Sequence, residues 1–227
     1  MQPLLFKKIM LRISLSVFFL FASFLYSFTG VGEGASAVSE VKHVAKPDVC
    51  AELFRDMQLE GTVNYTAFRQ AVTGYYRIAQ RKRDILTLID FSKPSTEKRL
   101  YVFDMKEKKM LFSSVVAHGK NSGGVYATSF SNEYGSYKSS LGFHLTASTY
   151  QGKNGYSLIL DGLEKGINDR ARERAIVVHG AAYADPSVIR TGGRLGRSFG
   201  CPAVPQKISR PLIDTIKGGS VMYIYAA

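Results

Sequence analysis

The chain has 227 residues, of which 45% are apolar, and it carries a formal net charge of +12. The apolar content is enough for a folded core and excludes an intrinsically disordered chain, while the length excludes two full-sized domains with extensions. The basic charge favours an anionic partner, such as nucleic acid, an acidic polymer or a membrane surface, although it also serves solubility alone.

Residues 1–37 have the pattern of an export signal. Lys7 and Lys8 precede an apolar run from Ile9 to Tyr26, and Ala35-Ser36-Ala37 has the small-x-small form that a signal peptidase cuts. An uncleaved membrane anchor is the alternative, but the uninterrupted apolar part is shorter than the roughly 20 residues of a spanning helix. We therefore predict a periplasmic or secreted protein that has no nucleic-acid partner and meets the membrane only through this segment.

Residues 38–83 are predicted to form a helical lead-in of two short helices. Pro47 opens the first, and Asn64 is a suitable N-cap for the second, whose apolar residues recur at near-helical spacing up to Arg83. Cys50 falls in the first helix, where a small apolar residue suits packing. We expect it to be dispensable and not to be bonded to Cys201.

Residues 84–227 are predicted to form a mainly β domain, either a sandwich or a partly open barrel. A long polar loop is predicted over 119–140, and a helix over 206–217. The apolar runs that predict strands are 85–89, 99–103, 110–117, 142–146, 156–160, 175–178 and 221–225.

The segment that leads from His179 to Cys201 carries the candidate chemistry. His179-Gly180 ends a predicted strand, and a glycine-rich loop then runs to Ser198-Phe199-Gly200-Cys201. A cysteine is a strong nucleophile only as thiolate, and a nearby imidazole can generate that thiolate. Gly180 and Gly200 would let a substrate backbone come close. The loop's cations, which would favour the thiolate or bind substrate carboxylates, are Arg190, Arg194 and Arg197.

The same residues also permit interpretations without catalysis. His179 can be a satisfied histidine at a strand end, Cys201 can be a small buried residue, and the two cysteines can form a disulfide. His144 lies mid-strand, where it either lines a cleft or is a core histidine bonded to backbone, and His118 is expected to be structural or exposed. Because no CxxC or HxxxH pair occurs, no metal site and no cofactor is predicted.

The two half-motifs, His179-Gly180 and Ser198-Phe199-Gly200-Cys201, resemble the signature of the L,D-transpeptidase (YkuD-like) family. The continuation Cys201-Pro202-Ala203-Val204-Pro205 is similar to a divergent branch of it, the murein L,D-transpeptidase catalytic domains. The resemblance implies an L,D-transpeptidase-like β-sandwich or open barrel at 84–227, with a helix after the cysteine.

The resemblance also implies that the substrates are peptidoglycan stem peptides. Cys201 would attack the carbonyl of the third stem residue and form an acyl-enzyme that an amine of a second stem peptide resolves. His179 would be the base, and Gly200, Ser198 and Gly180 would support the site or stabilise the oxyanion. An L,D-carboxypeptidase that uses water at the same Cys–His site stays an alternative, as does a non-enzymatic cell-wall-binding protein.

Two positions depart from the commoner pattern of the family. Phe199 stands where a histidine is usual, and Pro202-Ala203 follows the cysteine where an arginine is usual. The binding of a substrate carboxylate is therefore open to other residues. The candidates are Arg190, Arg194, Arg197 and His144.

Overall fold

The computed structural model describes residues 48–227, so the predicted export signal at 1–37 and the first part of the lead-in lie outside the described residues. Within 48–227, no helix is long and apolar enough to cross a membrane. The helices are α1 (Val49–Asp56), α2 (Tyr65–Arg77), α3 (Pro186–Gly192) and α4 (Gln206–Ile216). The strands are β1 (Ile85–Asp90), β2 (Leu100–Asp104), β3 (Lys109–Ser114), β4 (Gly142–Gly152), β5 (Gly155–Gly162), β6 (Val177–Gly180), β7 (Ala203–Val204) and β8 (Val221–Tyr225).

The eight strands form one sheet in the order β3-β2-β1-β8-β4-β5-β6-β7. Neighbours run antiparallel except β1 with β8 and β6 with β7, which are parallel. Ala117, three residues after β3, is bridged to Ala203 in β7 at the other end of the sheet. The two edges therefore meet, and the sheet is a nearly closed barrel, which confirms the prediction of a mainly β fold of the open-barrel type.

Each face of the sheet packs against helices. Along β1 the side chains alternate, so Ile85 and Ile89 join one apolar cluster while Leu86 and Leu88 join another. The first cluster includes three residues of α4, and the second includes the buried faces of α1 and α2. Because both faces are covered, every residue of β1 is buried.

The helical lead-in is seen from Asp48 onward and shares its core with the sheet. The Asn64 side chain accepts hydrogen bonds from the N–H groups of Thr66 and Ala67, so the predicted N-cap of α2 is confirmed. The helix ends at Arg77 rather than at Arg83, because the chain must turn into β1. Residues 48–77 therefore belong to the same compact unit as the barrel.

The segment 181–203, predicted to be a loop, contains a short 3₁₀ turn at 182–184, the helix α3 and the strand β7. Asp185 caps α3 by accepting from the N–H of Ser187, Pro186 occupies its first turn, and Gly193 ends it with φ of +70°. These start and stop residues are present in the sequence, but the helix buries no residue. It therefore has no apolar periodicity by which to be predicted.

Candidate active site

His179 and Cys201 are brought together by the pairing of β6 with β7. The two strands are parallel, with His179 opposite Ala203, so Cys201 lies two residues before the residue beside His179. Neighbouring strands lie about 4.8 Å apart. Side chains alternate between the faces of a strand, so Val178 enters the core while His179 points the other way. The register thus joins the two half-motifs that the sequence separates.

Both side chains line one small cavity of about 160 Å³. Cys201 is 9% exposed and His179 is 3% exposed, so both are buried side chains at the wall of this cavity. Within residues 48–227 no cluster of His, Cys, Asp or Glu could hold a metal ion. The other residues that line the cavity are Asn154, Tyr183, Arg197, Ser198 and Phe199.

Ser198 closes the turn that presents Cys201. Its Oγ accepts from the Gly200 N–H at 3.1 Å and donates to the Cys201 carbonyl at 2.6 Å. The Gly200 N–H is therefore engaged, so the expectation that it donates to an oxyanion is corrected to a supporting role in the turn. Within residues 48–227 the Cys201 N–H donates to no other residue's backbone carbonyl, and Pro202 has no N–H. The Cys201 N–H is thus the backbone donor that remains for an oxyanion.

Gly180 and Gly200 are required by packing within the protein, not by the approach of a substrate. A Cβ on Gly180 would lie 2.6 Å from the Oγ of Ser209 in α4. A Cβ on Gly200, whose φ is +125°, would lie 2.8 Å from the Lys138 carbonyl oxygen. The two glycines therefore let α4 and the 119–140 loop pack closely around the half-motifs, a constraint that the sequence does not reveal because it depends on distant segments.

Burial favours the neutral form of both reactive groups. It raises the pKa of the Cys201 thiol and lowers the pKa of the His179 imidazole. The Cys201 Sγ lies 3.6 Å from the Ala175 carbonyl oxygen, and the His179 Nδ1 lies 3.1 Å from the Gly180 carbonyl oxygen. With Nδ1–H donating to that carbonyl, Nε2 is the ring nitrogen that can accept a proton. Both groups are therefore neutral at rest, and a thiolate would form only if the imidazole accepted the thiol proton.

The model of the L,D-transpeptidase catalytic domain, of the YkuD type, matches residues 59–225. The chain belongs to this family. The match includes α2, all eight strands and both half-motifs. No curated protein matches the chain at a significant level.

Several solved structures of the family are similar to this chain. An L,D-transpeptidase from Mycobacterium smegmatis is 11% identical, with a TM-score of 0.40 over 63% of this chain and 59% of that one. The helical cell shape determining protein Pgp2 from Campylobacter jejuni is 13% identical, with a TM-score of 0.41 over 64% and 48%. An L,D-transpeptidase from Stackebrandtia nassauensis is 14% identical, with a TM-score of 0.36 over 77% and 74%. The chain thus spans between about half and six-tenths of the length of the first two.

Of the arginines predicted to serve the site of this family member, Arg197 alone lines the cavity. Its Nη1 donates to the carbonyl oxygens of Gly123 at 3.0 Å and Lys120 at 3.2 Å. Arg194 donates to a neighbouring backbone carbonyl, and Arg190 is exposed on α3 and lines a different groove. The structure does not bring Arg190 and Arg194 to the cavity because α3, which the sequence did not predict, carries this part of the chain away from Cys201.

His144 is fully buried and does not line the cavity. Its Nδ1 lies 3.1 Å from the Gly142 carbonyl oxygen, and its Nε2 has no hydrogen-bond partner within residues 48–227. Burial lowers the pKa of His144 to about 4. It is therefore a core histidine, and the candidate role in substrate binding is corrected. His118 is also buried, as a structural residue whose Nδ1 lies 2.8 Å from the Nη2 of Arg99.

Sequence reasoning missed Tyr183 and Asn154, which line the cavity, and an aromatic pair at its rim. Phe199 is 67% exposed, and its ring centroid lies 4.9 Å from that of Tyr137. The Lys120 Nζ lies 4.2 Å from the Tyr137 centroid and 4.7 Å from the Phe199 centroid. No local pattern could link these residues, because Lys120 and Tyr137 are at opposite ends of the long loop.

Proposed function

We propose that the protein is an exported peptidoglycan L,D-transpeptidase with Cys201 as nucleophile and His179 as general base. The observation that carries the proposal is the shared cavity, which is lined by the buried imidazole of His179 on β6 and by the buried thiol of Cys201 just before β7. Membership of the L,D-transpeptidase family supports the reaction class and the substrate class. The Lys7-Lys8 pair, the apolar run after it and Ala35-Ser36-Ala37 support export.

In the first half-reaction, the His179 Nε2 takes the thiol proton while Sγ bonds to the carbonyl carbon of the third stem-peptide residue. The carbonyl oxygen becomes an oxyanion, for which the Cys201 N–H is the proposed donor; one such donor contributes about 3–4 kcal/mol to catalysis. The tetrahedral intermediate collapses, the C–N bond to the terminal D-Ala breaks, and His179 returns the proton to the departing amine. A thioester on Cys201 remains.

In the second half-reaction, an amine of another stem peptide attacks the thioester carbonyl. His179 takes a proton from that amine, the C–S bond breaks, and the leaving sulfur regains a proton from His179. The products are a new amide cross-link and the resting enzyme. Water in place of the amine would give hydrolysis at the same site.

The rim of the cavity supports the choice of an anionic substrate. Arg197 lines the cavity, and Lys120, whose carbonyl oxygen Arg197 contacts, extends over the exposed rings of Tyr137 and Phe199. A guanidinium and an ammonium at the rim suit the carboxylates of a stem peptide. Of the three arginines that were candidates for substrate binding, Arg197 is therefore the one that we propose for this role.

The test is intact-mass analysis of the purified protein with a tetrapeptide donor. We expect an acyl adduct on Cys201 and none in Cys201→Ser, because a hydroxyl is far less acidic than a thiol and His179 would not yield a ready nucleophile. Cys50→Ser is the matched control and should acylate normally.

Addition of an amine acceptor distinguishes the alternatives. Cross-linked product indicates transfer, whereas trimmed stems without cross-links would show a hydrolase. A folded protein that forms no adduct with either the donor or a carbapenem would support a non-enzymatic wall-binding role and contradict the proposal.

A further inference from the structure

We propose that Arg174 is a positioning residue that provides the counter-charge for the Cys201 thiolate and fixes the loop beneath it. The inference rests on the proposed nucleophilic role of Cys201 and adds a residue that neither the half-motifs nor the family's match assigns. Arg174 lies three residues before β6, outside the loop in which the sequence placed the cations of the site.

The guanidinium of Arg174 is half-buried and binds only neutral acceptors. Its Nη1 donates to the Ser131 carbonyl oxygen at 2.6 Å and to the Ser140 Oγ at 2.5 Å. Its Nη2 donates to the Lys138 carbonyl oxygen at 2.7 Å and to the Ser136 Oγ at 3.2 Å. These four bonds orient the planar group rigidly, but none of them neutralises its charge.

Arg174 differs from the neighbouring arginines in having no carboxylate partner in residues 48–227. Arg170 is paired with Glu173 and Arg172 with Asp161, both as exposed ion pairs. Arg174 has no carboxylate within 4 Å in residues 48–227. A cation that has lost part of its hydration normally has an anionic partner. The more buried arginine is therefore the one left without a counter-ion.

We assign that role to Cys201, because its Sγ lies beside the carbonyl of Ala175, the next residue, and its turn rests on the Lys138 carbonyl that Arg174 binds. The other titratable or charged groups that line the cavity with Cys201 are His179, Tyr183 and Arg197.

Burial raises the pKa of the Cys201 thiol, and the Val177 N–H and then the charge of Arg174 act to lower it. A thiolate at Cys201 in turn acts to raise the pKa of Arg174, which burial lowers. The pair is thus complementary only after the thiol loses its proton. Arg174 stabilises the product of the proton transfer to His179 more than it stabilises the resting thiol.

The backbone next to Arg174 reaches the thiol directly. Ala175 has φ of +53°, a left-handed conformation that is costly for a residue with a Cβ. In this conformation its carbonyl oxygen lies 3.6 Å from the Cys201 Sγ. The Ala175 carbonyl therefore accepts a hydrogen bond from the neutral Cys201 thiol. The charge of Arg174 favours the thiolate that forms when this proton is lost.

The loop that Arg174 binds is also the support of the catalytic turn. The Lys138 carbonyl oxygen lies against Gly200, where even a Cβ would come within 2.8 Å. Ser139 donates from its Oγ to the Gly200 carbonyl oxygen at 3.0 Å. By donating to the Lys138 carbonyl, Arg174 fixes the part of the loop that packs against Gly200. One side chain therefore both positions the turn that carries Cys201 and provides a positive charge for its thiolate.

The experiment measures the pH dependence of Cys201 alkylation by iodoacetamide in the purified protein, in a Cys50→Ala background that leaves one thiol. We expect Arg174→Gln to move the midpoint to higher pH, and a midpoint one pH unit higher leaves about tenfold less thiolate at neutral pH. Arg174→Lys should stay near the wild-type midpoint because it keeps the charge. The matched control is Arg172→Gln, which removes an exposed arginine two residues away and should leave the midpoint unchanged.

An unchanged midpoint in folded Arg174→Gln would overturn the inference. If that variant does not fold, Arg174→Met decides, since it keeps the aliphatic stem of the arginine and removes the guanidinium. A higher midpoint in folded Arg174→Met supports the inference, and a midpoint equal to that of the wild type overturns it. Alkylation needs no stem peptide, so the absence of an acyl adduct with the donor would contradict the proposed function without contradicting the role of Arg174.

Discussion

His179 and His144 lie on strands, and both are buried, yet their ring nitrogens have different surroundings. The Nδ1 of each ring lies 3.1 Å from a nearby backbone carbonyl oxygen. The His179 ring, which carries the other nitrogen Nε2, lines the cavity. The Nε2 of His144 is enclosed by the core and has no hydrogen-bond partner in residues 48–227. A general base must lie close to the proton that it accepts. The structure places only His179, of these two residues, at the cavity that Cys201 lines, whereas the sequence distinguished them only by their neighbouring residues.

We expect His179→Ala and His179→Gln to lower the rate of Cys201 acylation by about 10²–10⁴-fold, the usual contribution of a general base. His144→Ala should change that rate only a few-fold, although it leaves a cavity and lowers the melting temperature. The measurement is the time course of the acyl adduct by intact mass, at a temperature at which all variants are folded. If His144→Ala proves the more damaging change, the base is misassigned.

On helix α1, Cys50 is half-buried and is a free thiol, as is Cys201. Its Sγ lies 3.9 Å from the Thr73 Oγ1 on α2. We expect Cys50→Ala to retain full activity and to lower the free energy of unfolding by about 1–2 kcal/mol, as for a modest truncation. Loss of a disulfide would instead cost about 2–5 kcal/mol. Denaturant unfolding with and without reductant distinguishes the two.

The contact between β6 and α4 depends on Gly180. A Cβ there would lie 2.6 Å from the Ser209 Oγ and 2.8 Å from its Cβ, so either the strand or the helix must shift. We expect Gly180→Ala to lower the free energy of unfolding by about 1–3 kcal/mol, as overpacking usually does. It should also slow acylation, because His179 precedes Gly180 on the same strand.

The double variant Gly180→Ala/Ser209→Gly removes the side chain that the new Cβ meets. We expect the double variant to lose less unfolding free energy than the sum of the two single losses, which is a favourable coupling in a double-mutant cycle. Additive effects would show that the strain at Gly180 has another source.

The elements themselves were largely predictable from local patterns. The apolar run of β1, the N-cap at Asn64 and the closing strand β8 are all visible in the sequence, and the structure confirms them. The register of β6 against β7, the contact of Gly180 with α4 and the position of Arg174 were not predictable. Each depends on segments far apart in the chain, and local propensity carries no information about such pairs.

At the scale of the whole molecule, the buried histidines make the fold sensitive to acid, and the pKa values of His118 and His144 are lowered more than that of His179. Burial lowers the pKa of both His118 and His144 to about 4, from about 6.5 in an unfolded chain. Above pH 6.5 both states are neutral and there is no effect. As the pH falls from 6.5 to 4, the unfolded chain binds protons that the folded chain does not. Stability therefore falls through this window and levels off below it.

Each histidine should cost up to about 3 kcal/mol of unfolding free energy by pH 4, because a tenfold difference in proton affinity corresponds to about 1.4 kcal/mol. The measurement is denaturant unfolding at several pH values between 7 and 5, where carboxylates titrate least. We expect His144→Gln to flatten the dependence on pH relative to the wild type. An equal slope in both proteins would show that His144 is not the group that titrates.

The bridges Ala117–Ala203 and Gly119–Ser198 join the segment that carries Cys201 to the chain after β3, at the far edge of the sheet. On its other side, this segment pairs with β6 through β7. Ser198 and Ala203 are separated from their bridge partners by about 80 residues of chain, a non-local pairing of the kind that forms slowly. In a chain that has not yet formed these two bridges and the β6–β7 pairing, Cys201 has neither His179 nor the 119–140 loop beside it. We therefore expect the proposed acylation of Cys201 to require the fully closed barrel, because only there do Cys201 and His179 line one cavity.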